Sequence, residues 1–168
     1  MTSSDDPQQH RTRRIIDIKL DDSSIGAHSP EVDHERQVAI FDITERNDFA
    51  LEDGTPGPYR LRLAIVERRL ALEIAGEDGT VLTTHLLSLT PFSRLIKDYF
   101  MVCESYYEAI RTAPPSRIEA LDMGRRALHD EGGQILAQRL AGKIATDRET
   151  ARRLFTLICA LHWKGDRV

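Results

Sequence analysis

The sequence predicts an α+β fold: an antiparallel β-meander sheet packed by helices, in the order β-α-β-β-β-α-α-α-α, with a helical C-terminal half. Three observations carry that prediction. Residues 59–89 contain three successive strand-like runs separated by turn signals, the first two alternating apolar and polar with period two. From residue 90 the apolar residues switch to the helical period and fill one wide stripe. The chain has 168 residues, of which 40% are hydrophobic, enough for one core without covalent staples.

Taken in order, residues 1–13 are polar and read as a disordered tail, leaving 14–168 as a single domain. Residues 15–20 read as a short strand and 21–28 as a loop. Ser29-Pro30 pairs a cap with a proline at the first helical position, so a helix is expected to about Asn47. Asp53-Gly54-Thr55-Pro56-Gly57-Pro58 is too dense in turn residues to be anything but a loop. In the first hairpin, setting Ile65 opposite Leu70 aligns Leu63 with Leu72 and Leu61 with Ile74. The same register places Arg62 against Glu73 on the other face. Val81 to Leu89 is the third strand. Thr90-Pro91 is expected to cap the long helix, and Pro114-Pro115 to end it. Ser116-Arg117-Ile118-Glu119 reads as a capping box. Gly132-Gly133 is expected to break the helix it opens, with a short helix over 134–140 following. Thr146-Asp147-Arg148-Glu149 reads as a second capping box, opening a final helix to about Trp163.

Composition excludes several classes of function. No apolar run approaches membrane-spanning length, and residues 1–9 lack the apolar core of a signal peptide, so a soluble, cytoplasmic protein is expected. Cys103 and Cys159 lie far apart and read as reduced thiols. Asp33-His34-Glu35 and His28 have no second histidine at metal-binding spacing; the acidic pair suits the first turn of a helix instead. No nucleophile elbow or nucleotide-binding glycine loop is present. No cofactor, metal or catalytic residue is therefore assigned. Gly132-Gly133-Gln134 matches the tripeptide of peptide-chain release factors, but lacks their glycine-rich, basic surroundings. The net charge is −4, with 12 basic and 20 acidic side chains over residues 1–109 and 11 and 7 over the rest. Arg125, Arg126, Arg139, Lys143, Arg148, Arg152 and Arg153 would form a basic face only if the apolar residues between them were not core. Nucleic acid is thus not the expected partner.

The informative residues are polar ones inside apolar stripes. Arg36 falls among Val32, Ala39, Ile40 and Ile43. Arg125 falls among Ile118, Leu121 and Leu128. His162 falls near Ala151, Phe155 and Ile158, and His85 shares a strand face with Val81, Leu87 and Leu89. Tyr99, Tyr106 and Tyr107 bring hydroxyls to the core side of the long helix, which also presents Cys103. A buried charge requires a partner. Either these residues are satisfied internally, or Arg36, His85, Tyr99, Tyr106, Arg125 and His162 converge on a pocket for a small anion. Separately, His34, Val38, Phe41 and Glu45 form a second stripe on the first helix, either buried between the sheet and the later helices or, with His34, Val38 and Phe41 exposed, a face for a protein partner or homodimer.

Several long segments carry a family likeness: Leu87–Phe92 (LSLTPF), Lys97–Ile110 (KDYFMVCESYYEAI), Asp122–Arg126 (DMGRR) and Ala151–Cys159 (ARRLFTLIC), together with Asp33-His34-Glu35-Arg36. Over nearly all of the chain after the tail, the sequence resembles an uncharacterised protein family of alphaproteobacteria. The resemblance implies a bacterial cytosolic protein and brings no activity, cofactor or catalytic residue with it. The expected function is a non-enzymatic interaction or regulatory module; an anion-binding protein or enzyme and an RNA-associated protein are the alternatives.

Overall fold

A computed structural model describes residues 7–25 and 29–162. The elements are α1 (Pro7–Thr12), β1 (Ile15–Leu20), α2 (Asp22–Ile25), α3 (Pro30–Glu45), β2 (Phe49–Leu51), β3 (Tyr59–Val66), β4 (Arg69–Ala75) and β5 (Val81–Ser88). A 3-10 turn (Thr90–Phe92) leads into α4 (Ser93–Thr112), then α5 (Pro115–Leu140), β6 (Ile144–Thr146) and α6 (Arg148–Leu161). The predicted α+β class and helical C-terminal half are observed.

The main sheet has the order β1-β3-β4-β5. The meander β3-β4-β5 is antiparallel, and β1 adds to it in parallel. The predicted hairpin register is found, with Ile65 opposite Leu70, Leu63 opposite Leu72, Leu61 opposite Ile74 and Arg62 opposite Glu73. The turn between these strands holds Glu67 and Arg68 at φ of 51° and 62°. Two left-handed central residues match the right-handed twist of the flanking strands, even without glycine. One face of the sheet, through Leu61, Leu63, Leu70, Leu72, Ile74 and Leu87, joins the core with Phe92, Leu136, Phe155, Leu157 and Ile158 from the helical side.

A second, two-stranded sheet pairs β2 with β6 antiparallel and ties the middle of the chain to its C-terminal part. Its three-residue strands are too short to show a period, so the sequence alone makes them look like loop. Tyr59 closes the loop beside it: its hydroxyl donates to Thr55 O at 2.6 Å and accepts from Leu51 N at 3.3 Å.

The helices revise the predicted boundaries. Ser29 caps α3 as expected, accepting from Val32 N. Thr90-Pro91 instead forms the 3-10 turn, and α4 begins at Ser93 with no side-chain cap. Pro114, not Ser116, precedes the first residue of α5. At the last helix the cap is Asp147, accepting from Thr150 N at 2.8 Å, while Thr146 belongs to β6. The expected extension to Trp163 lies outside the described residues, as does His28. The first described residues are helical, and Thr12 O and Arg13 O accept from Gly57 N and Phe49 N, so part of the expected tail is bound to the fold.

The largest correction is Gly132-Gly133. α5 runs straight through both. They are buried where α5 crosses α6, and a Cβ on Gly132 would overlap the Phe155 ring. A Cβ on Gly133 would sit 2.9 Å from Arg152 Cα. The glycines permit close helix packing and end nothing. Close approach is the benefit that offsets their poor helix propensity.

Candidate functional site

The polar residues predicted on apolar faces occupy three separate places. The first is the C-terminus of α6. Arg36, only 2% exposed on α3, donates from Nε to Ala160 O at 3.1 Å and from a terminal nitrogen to Leu161 O at 3.2 Å. Those are last-turn carbonyls, where a helix runs short of internal donors and carries its negative dipole end. Burial pulls the Arg36 guanidinium below its ordinary value, and the nearby Asp33 and Asp22 carboxylates oppose this; an arginine stays cationic regardless. His162 stands at the same helix end. Its Nδ1 lies 2.8 Å from Ile158 O, so that nitrogen carries the proton and donates.

The second place is the seam between α4, α5 and α6, where Tyr99, Tyr106 and Arg125 meet. The Arg125 guanidinium lies 4.4 Å from the centre of the Tyr106 ring and donates to Asp122 Oδ1 at 2.7 Å. Tyr99 lies against His129, with ring centres 4.8 Å apart. His129 is a site residue that sequence reasoning misses. It falls one helical turn after Arg125, and that i to i+4 spacing is the available signal. Burial, reinforced by the positive charges of Arg152 and Arg125, pushes its pKa down to about 4 despite Asp130 and Asp122. Its Nε2 is buried without a hydrogen-bond partner. A neutral imidazole tolerates that; an imidazolium would not. Arg152 Nε lies 3.3 Å from Asp130 Oδ1, near enough for an ion pair but too poorly aligned for a hydrogen bond.

Neither cysteine of the seam is an activated thiolate. Burial raises the Cys103 and Cys159 thiols and the Tyr99 hydroxyl above their ordinary values, so all three keep their protons at neutral pH. A thiol in that state is inert packing.

The third place is the sheet edge. His85 lies on β5 opposite Leu72, on the core face. Burial, with a contribution from Lys143, lowers its pKa, and Asp53 acts against them. The structure thus groups Arg36 with His162, groups Tyr99 and Tyr106 with Arg125, and leaves His85 on another element.

The outer stripe of α3 behaves differently. His34 is exposed, Val38 is 42% exposed and Phe41 62% exposed. Immediately after Phe41, Asp42, Glu45 and Arg46 line a groove of about 540 Å³ with Arg153 of α6. Arg153 donates to Arg46 O at 2.7 Å, fixing one wall. Of the other basic residues considered as a basic face, Arg125 and Arg126 both pair with Asp122, and Arg148 and Arg152 with Asp130.

Among the described residues, no helix is long and apolar enough to cross a membrane, and no group of three or more His, Cys, Asp or Glu could hold a metal ion. No solved structure matches the chain. A family model described as uncharacterised protein family UPF0262 matches residues 12–164. A UPF0262 protein of Mesorhizobium japonicum is 57% identical over 98% of this chain and all of its own. One from Nitrobacter winogradskyi is 56% identical over 98% of this chain and 97% of its own. Another from Rhodopseudomonas palustris is 58% identical over 90% of this chain and 93% of its own. With the match running almost end to end, the chain belongs to the UPF0262 family of alphaproteobacterial proteins.

Proposed function

We propose that this chain is a cytoplasmic, non-enzymatic interaction module that docks a partner protein on the outer face of α3. The observation that carries the reading is Phe41, 62% exposed, beside a groove lined by two acids and two arginines. An exposed aromatic with an adjacent polar rim is the arrangement on which binding energy concentrates. Val38, one turn away, widens the apolar spot. Supporting it, the arginines that sequence reasoning placed on core faces hold internal partners, which leaves them committed to the fold.

The test compares the wild-type chain with Phe41→Asp as baits in lysate of the native bacterium. Circular dichroism checks that the variant is folded. A partner captured by wild type should be lost from the variant, and purified partner should show at least about tenfold weaker binding to it, the scale of a hot-spot residue. Identical captures from the two baits would end the proposal.

A further inference from the structure

We propose that β5 is a self-pairing edge: two copies of the chain join their β5 strands antiparallel about a twofold axis at Leu86, making one continuous sheet across the dimer. The two edges of the main sheet, β1 and β5, differ in chemistry. At the β1 edge, Asn47 occupies the start of the strand, accepting from Ile15 N at 2.7 Å and donating to Ile15 O at 3.0 Å. That edge also carries Asp17 and Lys19. At the β5 edge, residues 81–88 read VLTTHLLS, with no lysine, arginine, acid or proline. Charged residues and prolines are what edge strands ordinarily use against pairing.

The backbone of β5 is correctly phased for a partner. Asp21 N donates to Leu63 O, and Ile65 N to Ser24 Oγ, so odd-numbered residues of β3 point their backbone groups toward β1. Alternation then turns Arg62, Ala64 and Val66 toward β4, and Leu70, Leu72 and Ile74 toward β5. Their partners Leu87, His85 and Thr83 therefore bond to β4, and Leu89 N donates to Arg68 O in the same phase. Thr84, Leu86 and Ser88 direct N–H and C=O at the open edge, which no strand among the described residues pairs. Their side chains point to the sheet face away from the core and are exposed.

Symmetry selects the register. Residues facing each other across an antiparallel pair share a sheet face, and the centres nearest the middle of β5 are Thr84, His85 and Leu86. A centre on Thr84 would bring Leu82 into the ladder, where the β4–β5 register is irregular, with Ala75 opposite Val81. A centre on His85 would set two imidazoles against each other. A centre on Leu86 pairs Leu86, 52% exposed, with its own copy and places each Thr84 hydroxyl opposite a Ser88 hydroxyl. That register forms about six reciprocal backbone hydrogen bonds and opposes no like charges. With only about five residues of each strand in contact, the interface falls below the roughly 1,200 Å² of stable complexes, so a reversible dimer, dissociating on dilution, is expected.

The test is sedimentation equilibrium of the full chain across a concentration series, with Leu86→Lys and Leu86→Glu. Leu86 is exposed on the outer face, so both variants should fold, which circular dichroism checks. Wild type should self-associate to dimers. Each variant alone should dimerise about tenfold more weakly, because like charges face each other on the axis, and an equimolar mixture should recover dimers. A wild type that stays monomeric, variants that dimerise as wild type does, or a mixture without recovery would each overturn the proposal. So would slow hydrogen exchange at Thr84, Leu86 and Ser88 in the monomer, because the chain's own residues would then cover the edge.

Discussion

Replacing each of three helical glycines of α5 by alanine should give opposite results, because the same methyl group enters three different surroundings. In solvent-exposed helix, glycine to alanine stabilises by about 1 kcal/mol. Gly124 has nothing within 4 Å of the position its methyl would take, so Gly124→Ala should gain about that amount. At Gly132 the methyl would overlap three carbons of the Phe155 ring. That ring is fully buried and lies 6.2 Å from the Phe92 ring, so it has nowhere to retreat. Overpacking costs about 1–3 kcal/mol, and at this overlap the upper end applies, leaving Gly132→Ala about 2 kcal/mol less stable after the propensity gain. At Gly133 the methyl would meet Arg152 Cα at 2.9 Å and Arg152 N at 3.0 Å. Backbone cannot rotate away, so α5 and α6 must separate, for a net loss of about 1 kcal/mol. For a chain of this size each kcal/mol moves the melting temperature by about 2–4 °C. Urea unfolding followed by circular dichroism would order the variants as Gly124→Ala above wild type, then Gly133→Ala, then Gly132→Ala. If Gly132→Ala matched or exceeded Gly124→Ala, the close crossing of α5 and α6 would be wrong.

Other perturbations follow from the same geometry. Arg36→Met should destabilise by about 2–4 kcal/mol in urea unfolding, because it removes two charge-assisted bonds from the last carbonyls of α6. Replacing Glu67-Arg68 by Asn-Gly should stabilise by about 1–2 kcal/mol, since both positions hold left-handed backbone that those residues adopt more readily. His129 has a folded pKa of about 4, below the usual value near 6.5, so the folded chain binds fewer protons than the unfolded chain between them. Its contribution is complete above about pH 6.5 and is lost as the pH falls toward 4; the shift sets a ceiling of about 3 kcal/mol, and partial exposure reduces it to roughly 1–2. In His129→Phe the slope of stability over that interval should flatten; an unchanged slope would place the imidazole in water.

Much of the fold is legible because it depends on local period. The β3–β4 register follows from two runs whose inner and outer faces each match, and a slip by one residue would reverse both. The inward position of Arg36 follows from the spacing of Val32, Ala39 and Ile43. The short strands β2 and β6 are not legible, since three residues cannot display a period and their pairing spans most of the chain. Gly132-Gly133 misleads because local propensity and tertiary packing disagree there. A better clue is the apolar spacing that continues to Leu136 and Leu140, on the stripe to which the glycines belong.

The polar residues mark where face reading stops. A helical projection shows that Arg36 and Arg125 point inward, but a charge pointing inward is equally consistent with a pocket wall and with a strut. The partner decides, and the two partners lie at very different distances along the chain. Arg125 meets Asp122 three residues away, a pairing the sequence already allows at helical spacing. Arg36 meets carbonyls 124 and 125 residues away, and a backbone carbonyl has no residue type to search for. Once those partners are known, both arginines have internal partners, and Tyr99, Cys103, His129 and Cys159 at the α4–α5–α6 seam are held neutral by burial. Two of the apolar, outward spots available to another molecule are Phe41 with Val38 on α3 and Leu86 on the open edge of β5; Met101 and Ile110 on α4 and Met123 on α5 are exposed as well. Phe41 and Leu86 lie on different elements, so charge at one should leave the other's association intact. A Phe41→Asp chain that still dimerises, and a Leu86→Lys chain that still captures the partner, would establish that a dimer and a partner complex can coexist.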